Sequence, residues 1–221
     1  MSDHGFMSDL PATPQDDTAD LWCVDDFEDL YASVGDDLDQ IPWAGLQPHP
    51  VLLSWLEEYP VVPEQSALVI ACGLGDDAEE LRRRGCRVSA FDYSRTAIGW
   101  CRRRFPDSTV EYSVADLLDL PDVWQQGFDL VVEINTIQSI PRARRHEAIA
   151  AIAGTVAPGG RLFVRCLARG DGESTPTRPW AVSRADLGTF ASEGMREVRF
   201  EEGIGLSGRP CFQVVYARSP A

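Results

Sequence analysis

Ala67-Leu68-Val69-Ile70-Ala71-Cys72-Gly73-Leu74-Gly75-Asp76-Asp77-Ala78 decides the fold. Its first five residues are a short apolar run bounded by a turn, the pattern of a strand buried on both faces. Two glycines then permit a tight turn and the close approach of a ligand to the backbone. Asp76 and Asp77 open a helix predicted over Asp76–Arg84 and closed by Gly85.

Downstream the same alternation repeats. Strands are predicted at Arg87–Phe91, Thr109–Ser113, Phe128–Ile134 and Arg161–Cys166. Between them lie helices at Ser94–Phe105, capped by Ser94 and followed by Pro106, and at Ala143–Ala157, broken by Pro158-Gly159-Gly160. Ser183-Arg184-Ala185-Asp186 has the capping-box form and starts a helix to about Glu193. Two strands, Arg196–Glu202 and Cys211–Arg218, finish the chain. Strands alternating with helices predict an α/β fold, a doubly wound parallel sheet with helices on both faces. Ligands in such sheets sit beyond the carboxyl ends of the strands, where the strand order switches.

Upstream the chain changes character. Residues 1–20 are polar and acidic and are predicted to be a disordered leader. Residues 21–60 carry apolar anchors at helical spacing, Asp25–Val34 and His49–Tyr59, separated by the Pro-rich loop Ile41–Pro50. They are predicted to form a helical cap segment on a domain spanning residues 61–221.

The 221 residues suit one large domain. No apolar run approaches the roughly 18 residues of a membrane helix, and the N-terminus is acidic rather than basic then apolar. The formal charge is −15, with no lysine; residues 1–81 hold 19 acids and no base. Such a chain repels a phosphate backbone, so nucleic acid is excluded as a general partner. Six cysteines lack metal or redox spacing, and His4, His49 and His146 are far apart. The expectation is reduced thiols, no metal and a cytoplasmic location.

Nineteen residues after Gly73, at the end of the second strand, stands Asp92, placed to accept hydrogen bonds from both hydroxyls of a ribose. This combination fits a dinucleotide and S-adenosylmethionine alike. Asp76 and Asp77 discriminate, because two carboxylates at the helix N-terminus would repel a pyrophosphate but tolerate a cationic sulfonium. After the third strand, Asp116 can accept from an adenine amino group and Leu117 can cover the base. Glu133 and Asn135 end the fourth strand.

In these pieces the chain resembles a class I S-adenosylmethionine-dependent methyltransferase. The matching stretches are Ala67–Gly75, Val88–Ser94 with Ala97-Ile98, Ala115-Asp116, Phe128–Val132 and Ala157–Leu162, in family order. The resemblance implies a Rossmann-like seven-stranded sheet whose last strand is antiparallel. It implies S-adenosyl-L-methionine as cofactor, with Ala71, Gly73 and Gly75 against its methionine part, Asp92 on the ribose, Tyr93 near the adenine, and Asp116 with Leu117 on the base. Many members carry an acid where this chain has Ala71, so Glu133 is the candidate for the cofactor's amino group. The Pro42–Pro50 stretch resembles the small-molecule branch that includes thiopurine and tellurite-resistance methyltransferases, with Trp43 as a lid.

Methyl transfer to a small-molecule acceptor needs mainly proximity and orientation, and a hydroxyl acceptor gains from a base. Candidates for that base are Glu133, His49 and Tyr31; candidates for substrate contact are Asn135, Gln138 and Arg165. Two alternatives stand beside this reading: a cofactor-binding sensor without catalysis, and an NAD-binding oxidoreductase.

Overall fold

The computed structural model describes residues 25–173 and 178–221. The predicted leader, residues 1–20, lies outside the described residues. The element order is α1 (Asp25–Ser33), α2 (Pro50–Glu58), β1 (Ser66–Ile70), α3 (Asp76–Arg83), β2 (Arg87–Asp92), α4 (Arg95–Arg104), β3 (Glu111–Val114), β4 (Phe128–Ile134), α5 (Arg145–Thr155), β5 (Val156–Leu167), α6 (Arg184–Ser192), β6 (Met195–Ile204) and β7 (Pro210–Arg218).

The strands form one seven-stranded sheet in the order β3-β2-β1-β4-β5-β7-β6. β3 through β5 run parallel, and β7 inserts antiparallel between β5 and β6. The fold is therefore a doubly wound Rossmann-like sheet, as expected. The chain leaves β1 toward β2 and β3, then returns to lay β4 on β1's other side, so the order switches between β1 and β4.

Helices cover both faces because the central strands are apolar on both. One face packs Leu68, Ile70, Val131 and Val164 against Ile149, Ile152, Leu187 and Phe190 of α5 and α6. The other packs Ala67, Val69, Val132 and Phe163 against Leu52, Trp55 and Leu56 of α2 and Leu81 of α3. Within the segment expected to cap the domain, α2 is thus part of the sheet's core, whereas α1 joins a separate cluster of Tyr31, Val34, Ile41, Leu74 and Ala97 over the glycine turn.

Helix starts follow their caps. Ser94 accepts from the backbone N–H of Ala97 (2.9 Å), and Ser183 and Asp186 complete the capping box. One expectation shifts: Pro158-Gly159-Gly160 does not precede the fifth strand but lies within β5. Val156 pairs with Phe128 and Arg161 with Leu130, a register shift of the bulge kind, and a Cβ at Gly160 would sit 3.0 Å from the Phe128 carbonyl.

Gly75 and Gly188 make a contrast that tests the packing. Gly75 has φ +89°, and an added Cβ would stand 2.6 Å from the Tyr112 hydroxyl. Gly75→Ala should lower stability by about 2–3 kcal/mol from left-handed strain plus overpacking. Gly188 is exposed within α6 with nothing near its missing side chain, so Gly188→Ala should raise stability by about 0.5–1 kcal/mol. Denaturant midpoints of the two variants should move in opposite directions.

Candidate functional site

At the carboxyl end of β1 the chain must turn at once, because β2 and β4 occupy both neighbouring positions. Ala71 takes a left-handed conformation (φ +46°), and Gly73 follows at φ +54°. Asn135, the residue after β4, is also left-handed (φ +67°). Two non-glycine residues in this region, one on each side of the switch point, mark local strain of about 1–3 kcal/mol each that the surrounding packing holds in place.

Asp92 ties this corner together. Its carboxylate accepts from the backbone N–H of Gly73 (2.9 Å) and of Ser94 (2.9 Å). It is 7% exposed, and burial raises its pKa against those two hydrogen bonds. Each oxygen keeps a second lone pair for a ligand. Cys72 donates to the Phe91 carbonyl (2.8 Å), so the glycine turn is fixed to the end of β2 through both backbone and side chain.

Asp76 and Asp77 do not lie free at the helix N-terminus. Arg104 makes two 2.7 Å bonds to Asp76 and another to the Leu74 carbonyl (2.6 Å). Asp77 accepts from the His49 backbone N–H (2.7 Å), and burial pushes its carboxyl up to about 6. The repulsion expected toward a pyrophosphate thus comes from Asp77 alone, since Asp76 is already neutralised.

α1 covers the turn. The Tyr31 hydroxyl accepts from Trp43 Nε1 (3.0 Å) and reaches within 3.1 Å of where a Cβ at Gly73 would stand. Burial holds Tyr31 protonated far above the neutral range. Trp43 is 46% exposed and packs edge-on against Phe27 and Tyr31. Glu28 accepts from the Ser94 and Thr96 hydroxyls (2.6 and 2.5 Å), latching α1 to the start of α4. Glu28 and Arg104 escaped the sequence reading because their partners lie 28 to 68 residues away; no local pattern announces them.

The remaining candidates fall into two places. Tyr93 is exposed beside Asp92. Asp116 is exposed, its Oδ1 accepting from the Leu118 N–H (2.9 Å), while Leu117 is buried in the core edge. Across the switch point, Glu133 is fully buried; one carboxylate oxygen accepts from the Thr136 (2.6 Å) and Ile137 (3.0 Å) N–H groups. Burial outweighs those bonds and raises its pKa to about 7. Gln138 is committed to the backbone, its side-chain oxygen accepting from Leu167 N–H (2.5 Å). Arg165 donates to the Asn135 side-chain oxygen. His49 Nδ1 accepts from Val51 N–H (3.2 Å) as the N-cap of α2, which assigns the ring hydrogen to Nε2. Burial, helped by Arg165, lowers its pKa to about 4, so His49 is a neutral donor rather than a base near neutral pH.

Some buried polar atoms lack a partner here, as Arg145 Nε and Arg218 Nε do elsewhere. Ser113 Oγ, Glu133 Oε2, Thr136 Oγ1 and Arg165 Nε have no hydrogen-bond partner among the described residues, and all stand at the carboxyl ends of β3, β4 and β5. Orphans of this kind cost free energy unless a ligand or water completes them. A surface hollow at the opposite end of the sheet, lined by Trp55, Tyr59, Pro63, Asp129 and Arg161, holds another such atom, Trp55 Nε1. Among the described residues no cluster of His, Cys, Asp and Glu could hold a metal, and no helix is long and apolar enough to cross a membrane.

The sheet order is that of the Rossmann-like methyltransferase fold, and a family model described as a methyltransferase domain matches residues 67–160. The chain is 26% identical over 123 residues to a ubiquinone biosynthesis O-methyltransferase of Hahella chejuensis, covering 55% of this chain and 51% of the relative. It is 31% identical over 110 residues to a carboxy-S-adenosyl-L-methionine synthase of Shewanella, covering 47% and 45%. The chain spans about half the length of the curated relatives it matches. Among solved structures it is similar to the N-methyltransferase NodS of Bradyrhizobium japonicum in complex with S-adenosyl-L-homocysteine, at TM-score 0.67 and 24% identity over 87% of this chain and 97% of that one.

The buried carboxyl of Glu133 has a consequence for folding. Its folded pKa of about 7 exceeds the ordinary 4.5, so the folded state holds a proton that the unfolded state releases first. Stability should fall as pH rises from about 4.5 to about 7. In Glu133→Gln this slope should be shallower by up to one proton, the rest belonging to Asp77 and Asp92. Unfolding titrations at a series of pH values measure it; an unchanged slope would show that Glu133 titrates normally.

Proposed function

We propose that this chain is a methyltransferase that uses S-adenosyl-L-methionine to methylate a small-molecule acceptor. The observation that carries the reading is the Asp92 clamp on the glycine turn, with the buried, unpartnered Glu133 Oε2 across the switch point. A cationic, hydroxyl-bearing ligand is the kind that completes such a set.

The residues fit the cofactor one by one. Asp92 has lone pairs left for the two ribose hydroxyls. Asp116 and Leu117 would hold the base, with Tyr93 beside it. The glycine turn, from Ala71 to Gly75, would take the methionine part. Gly73 leaves room there, and Gly75 serves the packing of α3 on Tyr112. Glu133 Oε2, buried and unpartnered, would accept from the cofactor's ammonium group and supply the carboxylate that Ala71 does not. Tyr31 and Trp43 would roof the site and exclude water. Once bound, the sulfonium supplies an already activated methyl group, so the protein's own contribution is alignment.

Of the three base candidates, Tyr31 is held protonated and His49 presents a donor. Glu133 faces the cofactor's ammonium in this reading. The arrangement therefore favours an acceptor atom that needs little deprotonation. A relative in sequence is named O-methyltransferase and a neighbour in fold N-methyltransferase, and the acceptor atom follows from neither.

Titration calorimetry tests the assignment. S-adenosyl-L-methionine and S-adenosyl-L-homocysteine should bind in the micromolar range, and NAD should not. Asp92→Asn, which keeps one acceptor oxygen for the turn, should weaken both adenosyl ligands about tenfold or more, ~1.4 kcal/mol. Unaltered affinity in that variant would remove Asp92 from the ribose site. Binding of NAD alone would favour the oxidoreductase reading.

A further inference from the structure

The sequence places Arg165 on β5, paired in register with Ile134 at the end of β4. The residue is 6% exposed. A guanidinium keeps its charge at any physiological pH, so burying it without a counter-ion is costly. In this chain acids outnumber bases 35 to 20, yet among the described residues none comes within ion-pair distance of Arg165. Every other deeply buried arginine pairing goes the ordinary way: Arg145, equally enclosed, has Asp186 at 2.9 Å.

The partners Arg165 does have define what is left over. Nη1 donates to the neutral side-chain oxygen of Asn135. Asn135 is itself held left-handed, and its N–H donates to the Arg165 carbonyl (2.8 Å). Nε has no partner. Nη2 lies against Gly205 in the β6–β7 turn, where an added Cβ would collide with it. The unpaired edge is therefore the Nε–Nη2 fork, the pair of parallel N–H groups that matches the two oxygens of a carboxylate. Glu133, on the adjacent strand, is turned onto the Thr136 and Ile137 N–H groups and does not fill that fork.

Position adds the scale. β5 is two strands from β1 in the order β1-β4-β5, so at ~4.8 Å per strand the Arg165 backbone lies about 10 Å across the sheet from β1.

We infer that Arg165, steadied by Asn135 and given room by Gly205, is the specificity residue that binds a carboxylate on the methyl acceptor. This inference rests on the methyltransferase reading above and names the substrate class for the same site. Its ligand is a small carboxylic acid; an amide or ester of the same shape should be rejected, because it offers the fork at most one good acceptor and no charge.

The test follows the Arg165 Nε–H signal by nitrogen-15 NMR in the full chain saturated with S-adenosyl-L-homocysteine, the signal being assigned by its loss in Arg165→Gln. Benzoate and 3,4-dihydroxybenzoate, at millimolar concentration, should shift it saturably, and benzamide should not. Arg165→Gln should retain the homocysteine ligand's affinity within about twofold while calorimetric binding of both carboxylates drops at least tenfold. Gly205→Ala, which keeps the charge but crowds the fork, should weaken the carboxylates in the same direction. No response to either carboxylate, or an equal response to benzamide, overturns the subsite. Failure of wild-type protein to bind S-adenosyl-L-homocysteine instead overturns the methyltransferase reading beneath it, so the two failures are distinguishable.

Discussion

The Asp92 carboxylate, held between the N–H groups of Gly73 and Ser94, is the interaction on which the site depends. A parallel sheet brings the ends of β1 and β2 about 4.8 Å apart, but it does not fix the loops that follow. Asp92 does so by bonding one loop with each oxygen. The desolvation that raises its pKa is part of the same design, because a buried acceptor is worth more to a neutral hydroxyl donor than one already surrounded by water. Removing the side chain would therefore free both loops, whereas an asparagine, with a single acceptor oxygen, keeps one of the two backbone bonds.

Around that clamp the two halves of the charge distribution meet. The sequence is strictly acidic up to Leu81 and contains its first base at Arg82. Folding lays the acidic part over the start of α4 and against its basic end. Glu28 reaches Ser94 and Thr96, and Asp76 reaches Arg104. The Asp76–Arg104 pair is mostly buried, with side-chain exposures of 16% and 17%, and Arg104 also bonds the Leu74 carbonyl, so the pair stiffens the glycine turn from beneath. The surface pairs of Arg144 with Glu147 and Arg184 with Glu197 have half-exposed side chains and contribute little.

Much of this was legible in the sequence because it is local. The turn after Ile70 and the Ser94 and Ser183 caps involve residues within a few positions of one another, and Phe128–Ile134 shows its strand by composition alone. What was not legible is long-range. The acidic pair at the start of α3 read as two free charges, yet one is neutralised by Arg104, 28 residues away. Residues 50–58 fall in the expected cap segment, and Leu52, Trp55 and Leu56 face the sheet; a nine-residue helix does not reveal which surface its apolar stripe will meet. His49 read as a candidate base; its tautomer is set by a backbone N–H two residues on, a detail that depends on where α2 begins.

The division of labour across the switch point follows from the same constraint. On the β1–β2 side, polar atoms are already paired with backbone and leave single lone pairs for a ligand, an arrangement suited to a cofactor held in one orientation. On the β4–β5 side, Glu133 and Arg165 are buried with one functional edge each unpaired. These two charges are of opposite sign and are set on adjacent strands, yet they do not pair with each other; their partners in the protein are neutral amides, Thr136 and Ile137 N–H for the acid and Asn135 for the base. Register keeps them apart: Glu133 pairs with Val164 and Arg165 with Ile134, and successive residues of a strand face opposite sides, so the two side chains leave the sheet on opposite faces. The left-handed Asn135 turns the chain from β4 toward Thr136 while its side chain holds Arg165 in place on the other face.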